Sequence, residues 1–268
     1  MRKEIEAFFE KEKIEYFSAI PYRECKEINP EIMSREDFAP QSVIVFLLPY
    51  YTGETKNLSR YAASLDYHII IKEVTIRLTE LLGVLYPSNR FRGYGDHSPI
   101  NECHAAISSG LGILGDNGLI INEKYGSYVF VADIVTDIPS KEFGCIKPLP
   151  IGFCEHCGAC KRACPTGILR GEGGDCLSAI TQRKGDLTEC EISLMKECDT
   201  VWGCDECQSS CPHNKNAALT PIEFFYKDKI DFLTSDVLSK MDKTVFMKRA
   251  FAWRGRKTVE RNLKKLGY

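Results

Sequence analysis

Residues 154–165 read CEHCGACKRACP. The spacing Cys154-x2-Cys157-x2-Cys160-x3-Cys164-Pro165 decides how the rest of the chain is read. Two x2 gaps let a tight loop aim successive thiolates at separate irons of one cubane, and the x3 step starts a helical turn that sends the fourth thiolate to a second cluster. A second run, Cys204-x2-Cys207-x3-Cys211-Pro212, repeats the last three positions, with Val201 where its first cysteine would stand. Seven cysteines cannot fill the eight thiolate sites of two 4Fe–4S clusters. A remote cysteine must complete the set, and Cys176, Cys190 and Cys198 are the candidates. Pseudo-symmetry assigns Cys154, Cys157, Cys160 and Cys211 to one cluster, and Cys164, Cys204, Cys207 and the remote cysteine to the other.

A four-thiolate zinc site is the plain alternative for two CxxC pairs. It leaves the two x3-Cys-Pro endings and the near-duplication unexplained, whereas a bacterial ferredoxin-like module explains both. The chain has 13 cysteines in 268 residues, a density that in a reducing compartment points to metal rather than disulfides. Cys25, Cys103, Cys145 and the unused remote cysteines are expected to be free, partly buried thiols. His156 and His213, inside the cluster loops, are expected to tune the clusters by hydrogen bonding.

Net charge is −2 and the pI about 6.3, which excludes a uniformly basic nucleic-acid-binding domain. The N-terminus MRKEIEAFFEKEKIEYF is charged throughout and lacks the apolar stretch of a signal peptide. Val43–Leu48 is far too short to span a bilayer. The expectation is a cytoplasmic protein with no membrane partner.

The expected fold class is α+β: an α/β N-terminal domain over residues 1–150, a double-cluster ferredoxin-like module over 151–216, and a short helical tail over 217–268. Met1–Lys13 reads as an amphipathic helix. Ser42–Tyr50 (SVIVFLLPY) reads as a buried strand. Asp66 is placed to cap a helix over Tyr67–Leu85, and Gly118–Asn122 and Tyr128–Thr136 read as further strands.

The segments GFCEHCGACKRACPTGIL, DCLSAITQRKG and WGCDECQSSCPHNK, with RYAASLDYH (60–68), GDHSPINECHAAISSGLGILGDNGLII (95–121), EKYGSYVFVADIVTDIP (123–139) and AWRGRKTVERN (252–262), resemble the epoxyqueuosine reductase family. These enzymes complete queuosine in tRNA, and they are similar to reductive dehalogenases in pairing two 4Fe–4S clusters with cobalamin. The resemblance implies that Cys176 is the remote ligand and that Asp96 is the proton donor, with a second family acid at Asp66. It implies that Gly118–Asp133, including Tyr125, Gly126, Ser127, Tyr128 and Asp133, lines the corrin. Ser59 stands where some members carry cysteine. An external donor of flavodoxin or ferredoxin type would feed the clusters.

Family members usually continue into HEAT-like helical repeats that help grip tRNA, and this sequence ends at Tyr268 before them. The resemblance therefore implies the cofactor chemistry more directly than the tRNA substrate. Two other readings stand beside it. One is a corrinoid reductase acting on a small molecule or a corrinoid protein. The other is a two-cluster electron carrier whose residues 1–150 dock a partner, although a carrier has no need of GDHSPINE or YGSYVFVADIVTDIP.

Asp96 could equally serve its glycine-rich turn, a role that suits Asp, and His68, His97 and His104 are expected to be ordinary polar positions. The basic tail from Lys248 to Lys265 is either a phosphate-binding patch or the solvated face of a terminal helix. Trp253 and Arg254 would either stack on a base or anchor the tail.

Overall fold

The computed structural model describes residues 2–143 and 154–268; Cys145 and the expected boundary at 150/151 lie outside the described residues. Two compact units emerge: residues 1–49 with 68–155, and residues 50–67 with 156–268.

The first unit is built on four antiparallel strands: β1 (Phe17–Pro21), β2 (Ser42–Pro49), β3 (Phe91–Tyr94) and, after the small hairpin β4 (Ile113–Leu114) and β5 (Ile120–Ile121), β6 (Val129–Thr136). The order is β1-β2-β6-β3. β2 is buried on both faces along its whole length, as its unbroken apolar run requires. Helices α1 (Arg2–Lys11), the short α2 (Pro30–Met33), α3 (Tyr67–Leu85) and α4 (Glu102–Ser108) accompany the sheet. Phe9 of α1 is fully buried and stacks on Phe17 of β1 at 4.2 Å between ring centroids. A Cβ at Gly93 would come within 2.5 Å of Thr75, and one at Gly95 within 2.6 Å of Ile71. Only glycine lets the edge strand and the loop after it lie this close to α3, and that close packing fixes where the 95–101 loop begins.

The second unit holds α5 (Ala159–Ala163), α6 (Leu177–Gln182), α7 (Glu189–Glu197), α8 (Glu206–Ser209), α9 (Ser235–Ser239), α10 (Lys243–Met247) and α11 (Arg256–Leu266). α7 opens with a reciprocal capping box between Thr188 and Glu191. The expected linear partition differs from these units, and hydrogen bonding explains the difference. Fully buried Asn57 donates to the Leu233 carbonyl at 2.8 Å and accepts the Leu233 N–H at 2.9 Å, and its own carbonyl accepts the Val201 N–H at 2.7 Å. The Ser59 N–H donates to the Trp202 carbonyl, and the Asp66 N–H to that of Lys248, both at 2.8 Å. Arg60, with only 9% of its side chain exposed, pairs with Asp205 at 3.1 Å and with Glu54 at 2.5 Å. Residues 50–67 are thereby stitched to the cysteine-rich module.

The expected tail is stitched to the same module. Fully buried Asn262 of α11 donates to the carbonyls of Thr181 and Val201 at 2.7 and 2.8 Å, and Arg261 donates to that of Arg183 at 2.7 Å. Among the described residues no helix is long and apolar enough to cross a membrane.

Replacing Asn57 strands a buried N–H and a buried C=O of Leu233, each worth about 1–3 kcal/mol. Asn57→Ala is expected to lower stability by about 2 kcal/mol in urea denaturation followed by the fluorescence of buried Trp202. An unchanged midpoint would show that this residue does not hold residues 50–67 in place.

Candidate functional site

Two clusters of reactive side chains stand out, one in each unit. In the first unit the loop 96–101 is clamped by residues 26–29. The Ile28 and Asn29 N–H groups donate to the Pro99 carbonyl, the Asn101 N–H donates to that of Lys26, and the Asn29 side chain donates to that of Ser98 at 2.9 Å. Asp96 sits in this loop with φ +64, a left-handed conformation that costs a non-glycine residue energy unless its surroundings enforce it. The enforcing contact is Glu102, the first residue of α4, whose Oε1 accepts the Asp96 N–H at 2.9 Å. His68 Nε2 lies 3.3 Å from Asp96 Oδ2, with both side chains about half exposed. His68 thus faces the candidate acid.

Beneath the loop, on β6, Asp133 is fully buried and paired in register with Tyr94. Neither of its oxygens makes a hydrogen bond of ordinary geometry. Burial pushes its carboxyl up to about 7, tempered only by the Ser98 hydroxyl beside it. Burial, then the charges of Asp133 and Asp96, push Glu102 up to about 8. Cys25 is raised to about 12 by burial and then by Asp133. Cys103 is raised by burial and then by Glu102 and Asp96. Both are thus neutral, weakly reactive thiols at neutrality.

Gly118, with φ +80, closes the turn into β5 on the Gly115 carbonyl. Asn122 and Gly126 exchange backbone hydrogen bonds at 2.8 and 2.9 Å, and the Tyr128 N–H closes the next turn on the Tyr125 carbonyl at 3.2 Å. Tyr125, Ser127 and Tyr128 are buried, and the Tyr125 hydroxyl donates to Glu15 at 3.1 Å. Asp66 and Ser59 belong to the second unit, apart from Asp96 and Asp133 in the chain's division. Ser59 is 3% exposed, and a Cβ at Gly203 (φ +80) would collide with its hydroxyl.

In the second unit the two cysteine runs adopt the same local design. Cys160 lies in α5, which ends at Cys164; Cys207 lies in α8, and Cys211 follows it. A proline comes next each time, and α5 packs on α8. Arg162 donates to the Cys157 carbonyl at 3.0 Å and Arg170 to that of Cys164 at 3.1 Å, fixing the first loop. Burial opposes ionisation of Cys164, but the N–H groups of Leu169, Thr166 and Gly167 and the Thr166 hydroxyl together hold its thiol below the usual value. Cys204 is driven the other way by burial. The charges of Cys176, Cys198 and Cys207 push it in the same direction. Cys176 stands at the N-terminus of α6 and Cys198 at the C-terminus of α7, whereas Cys190 is exposed on α7 and is not among them. Thiols gathered in a partly buried shell, some cradled by N–H donors, form a donor set suited to a soft metal or a cluster.

The structure also sorts the basic tail. Arg256 donates to the Leu238 and Met241 carbonyls at 2.7 and 2.5 Å, and Arg261 holds the 181–185 backbone. Both are spent on the fold. Trp253 is 57% exposed, with the Arg254 guanidinium 3.7 Å above its ring. Arg249 is 4% exposed, with Nε and Nη1 unpaired among the described residues. Glu102 is not singled out by the sequence; an acid opening a helix six residues after Asp96 is the available signal. Arg249, one of the tail's cations, is buried instead of offered to solvent.

Residues 153–214 match the family model described as a 4Fe-4S double cluster binding domain, so the second unit carries an iron–sulfur-binding domain. Epoxyqueuosine reductase of Leadbetterella byssophila is 31% identical over 224 residues, spanning 78% of this chain and 72% of that protein. Epoxyqueuosine reductase of Listeria monocytogenes is 28% identical over 279 residues, 96% of this chain and 71% of its own length. Among solved structures, epoxyqueuosine reductase with an epoxyqueuosine-modified tRNA stem loop superposes with a TM-score of 0.78 at 22% identity, covering 98% of this chain and 80% of that one. The chain belongs to the epoxyqueuosine reductase family of oxidoreductases.

Proposed function

We propose that this protein reduces the epoxide of epoxyqueuosine in tRNA to the alkene of queuosine, using two 4Fe–4S clusters and cobalamin. The observation that carries the reading is the pairing, in one chain of this family, of a double-cluster module with the Glu102-pinned Asp96 loop. The clusters would be held by Cys154, Cys157, Cys160 and Cys211, and by Cys164, Cys204, Cys207 and Cys176. The residues assigned to the corrin are Gly118, Tyr125, Gly126, Ser127, Tyr128 and Asp133 of the first unit, with Ser59 of the second. The buried carboxylate of Asp133 in the first unit, with both oxygens unsatisfied, fits a polar ligand that would satisfy it. When bound, cobalamin supplies a cobalt centre that can deliver electrons to carbon. An external donor of flavodoxin or ferredoxin type supplies those electrons.

Converting an epoxide to an alkene takes two electrons and two protons and releases water. Asp96 is the acid that protonates the leaving oxygen, His68 orients its carboxyl, and Asp66 is the second acid. Glu102, raised to about 8, holds a proton at neutrality behind Asp96, and Asp133, raised to about 7, shares one with solvent near neutrality. Trp253 and Arg254 offer a stacking face and a cation suited to a nucleotide.

Three outcomes test this reading. With clusters and cobalamin loaded anaerobically and a chemical reductant present, epoxyqueuosine-tRNA is expected to yield queuosine in nucleoside mass spectrometry, and Asp96→Asn to turn over about 10²–10⁴-fold more slowly. No product from the fully loaded wild type would sink the assignment.

The pH dependence gives a second. An acid raised to about 8 keeps its proton below that value and loses it above, so kcat/KM is expected to fall above about pH 8 as the stored proton is lost. Glu102→Gln keeps an acceptor for the Asp96 N–H but stores nothing, so the fall should move down toward the Asp133 value of about 7. A profile unmoved by the substitution would remove Glu102 from the proton path.

The third concerns tRNA affinity. Trp253→Ala with Arg254→Ala is expected to weaken binding by about 1–3 kcal/mol and to flatten its salt dependence, whereas Arg256→Ala should lower thermal stability instead. Equal affinity of the double variant at every salt concentration would rule out the tail as a contact.

A further inference from the structure

The second thiol group contains one cysteine more than a cubane can use. Cys164, Cys204, Cys207 and Cys176 already make four, yet Cys198 lies beside Cys204 as well. Two geometric observations place it there. Cys198 and Cys204 pack against the same apolar cluster of Leu177, Ile180, Leu187, Ile192 and Met195. They also share the wall of a solvent-open recess of about 200 Å³.

The two spare candidates differ in how firmly they are held. Cys176 follows the run Gly171–Asp175, and residues 171–176 are all exposed. Cys198 is half-buried at the end of α7, its N–H donating to the Leu194 and Lys196 carbonyls. The far end of α7 is fixed by the Thr188–Glu191 capping box. The fourth ligand that the resemblance implies thus hangs from a glycine-rich loop, while an anchored thiol waits beside the same set.

Resting on the iron–sulfur reading, we propose that Cys198 is a reserve ligand for the cluster held by Cys164, Cys204 and Cys207, taking the place of Cys176 when that thiolate is lost. In the exchange the iron–sulfur bond to Cys176 breaks and one to Cys198 forms. The Cys198 proton passes to the released thiolate, or to solvent where the Cys176 sulfur has been alkylated or oxidised, and the ligand exchange itself moves no electron. Such a site keeps its cluster when the exposed Cys176 is oxidised or alkylated.

The test uses the anaerobically reconstituted full chain, with iron content and iodoacetamide labelling read by mass spectrometry. Wild type is expected to hold about eight irons, with Cys198 labelled through the recess. Cys176→Ala should still hold about eight, with Cys198 now protected; Cys176→Ala with Cys198→Ala should fall to about four. Should the double variant fail to fold, protection of Cys198 in the single variant decides the matter alone. A Cys176→Ala protein that has lost half its iron and leaves Cys198 labelled overturns the proposal. So does loss of half the iron from Cys198→Ala alone, since Cys198 would then be the regular ligand. An iron-free wild type overturns the cluster reading and this proposal together.

Discussion

Thiols packed into a partly buried shell are stable as neutral groups or as ligands to a cation, but not as bare thiolates. That constraint governs the second unit. Burial drives Cys204 away from ionisation, while backbone N–H groups draw Cys164 toward it. The iron–sulfur-binding domain that these residues match suits both, because a metal centre deprotonates its ligands and offsets their desolvation. The cysteine runs supply spacing, but spacing alone does not hold a shell open. Residues 50–67 and α11 do so: Asn57 is tied to the Leu233 carbonyl, Arg60 to the Asp205 carboxylate, and Asn262 to the Thr181 and Val201 carbonyls. The iron–sulfur domain of this chain is thus larger than its cysteine motif.

A comparable logic of burial orders the first unit. Asp133 in the middle of an antiparallel sheet is costly in isolation. It becomes intelligible beside Glu102 and Ser98 under a loop whose conformation is itself strained at Asp96. Strain of this kind persists where surrounding contacts over-determine it. The clamp from residues 26–29 and the glycines at 93 and 95, which admit α3, provide that surround. The loop then presents one carboxyl to solvent and keeps two others beneath it.

Much of this was legible in the sequence where the signal is local. The Tyr67–Leu85 helix, the β2 run and the β6 run follow from periodicity and apolar composition, and the cysteine runs from spacing. β1 and β3 were not legible: FSAIP is too short to declare a period, and FRGY carries two exposed positions and a glycine on a sheet edge. The membership of 50–67 in the second unit was hidden because it depends on bonds more than a hundred residues long, such as Asn57 to Leu233. The tail illustrates the same limit. Its charges look alike in sequence, yet Arg256 and Arg261 cap backbone while Arg254 lies on an exposed indole. The choice among Cys176, Cys190 and Cys198 is likewise not legible from spacing, because it depends on where the folded chain brings each thiol.

A corrinoid reductase keeps cobalamin, and an electron carrier does not. The clusters are rebuilt anaerobically, cobalamin is added, the protein is desalted, and cobalt content and EPR are recorded. The account predicts near-stoichiometric cobalt with a base-off Co(II) signal alongside intact clusters. Intact clusters with no retained cobalt would contradict it.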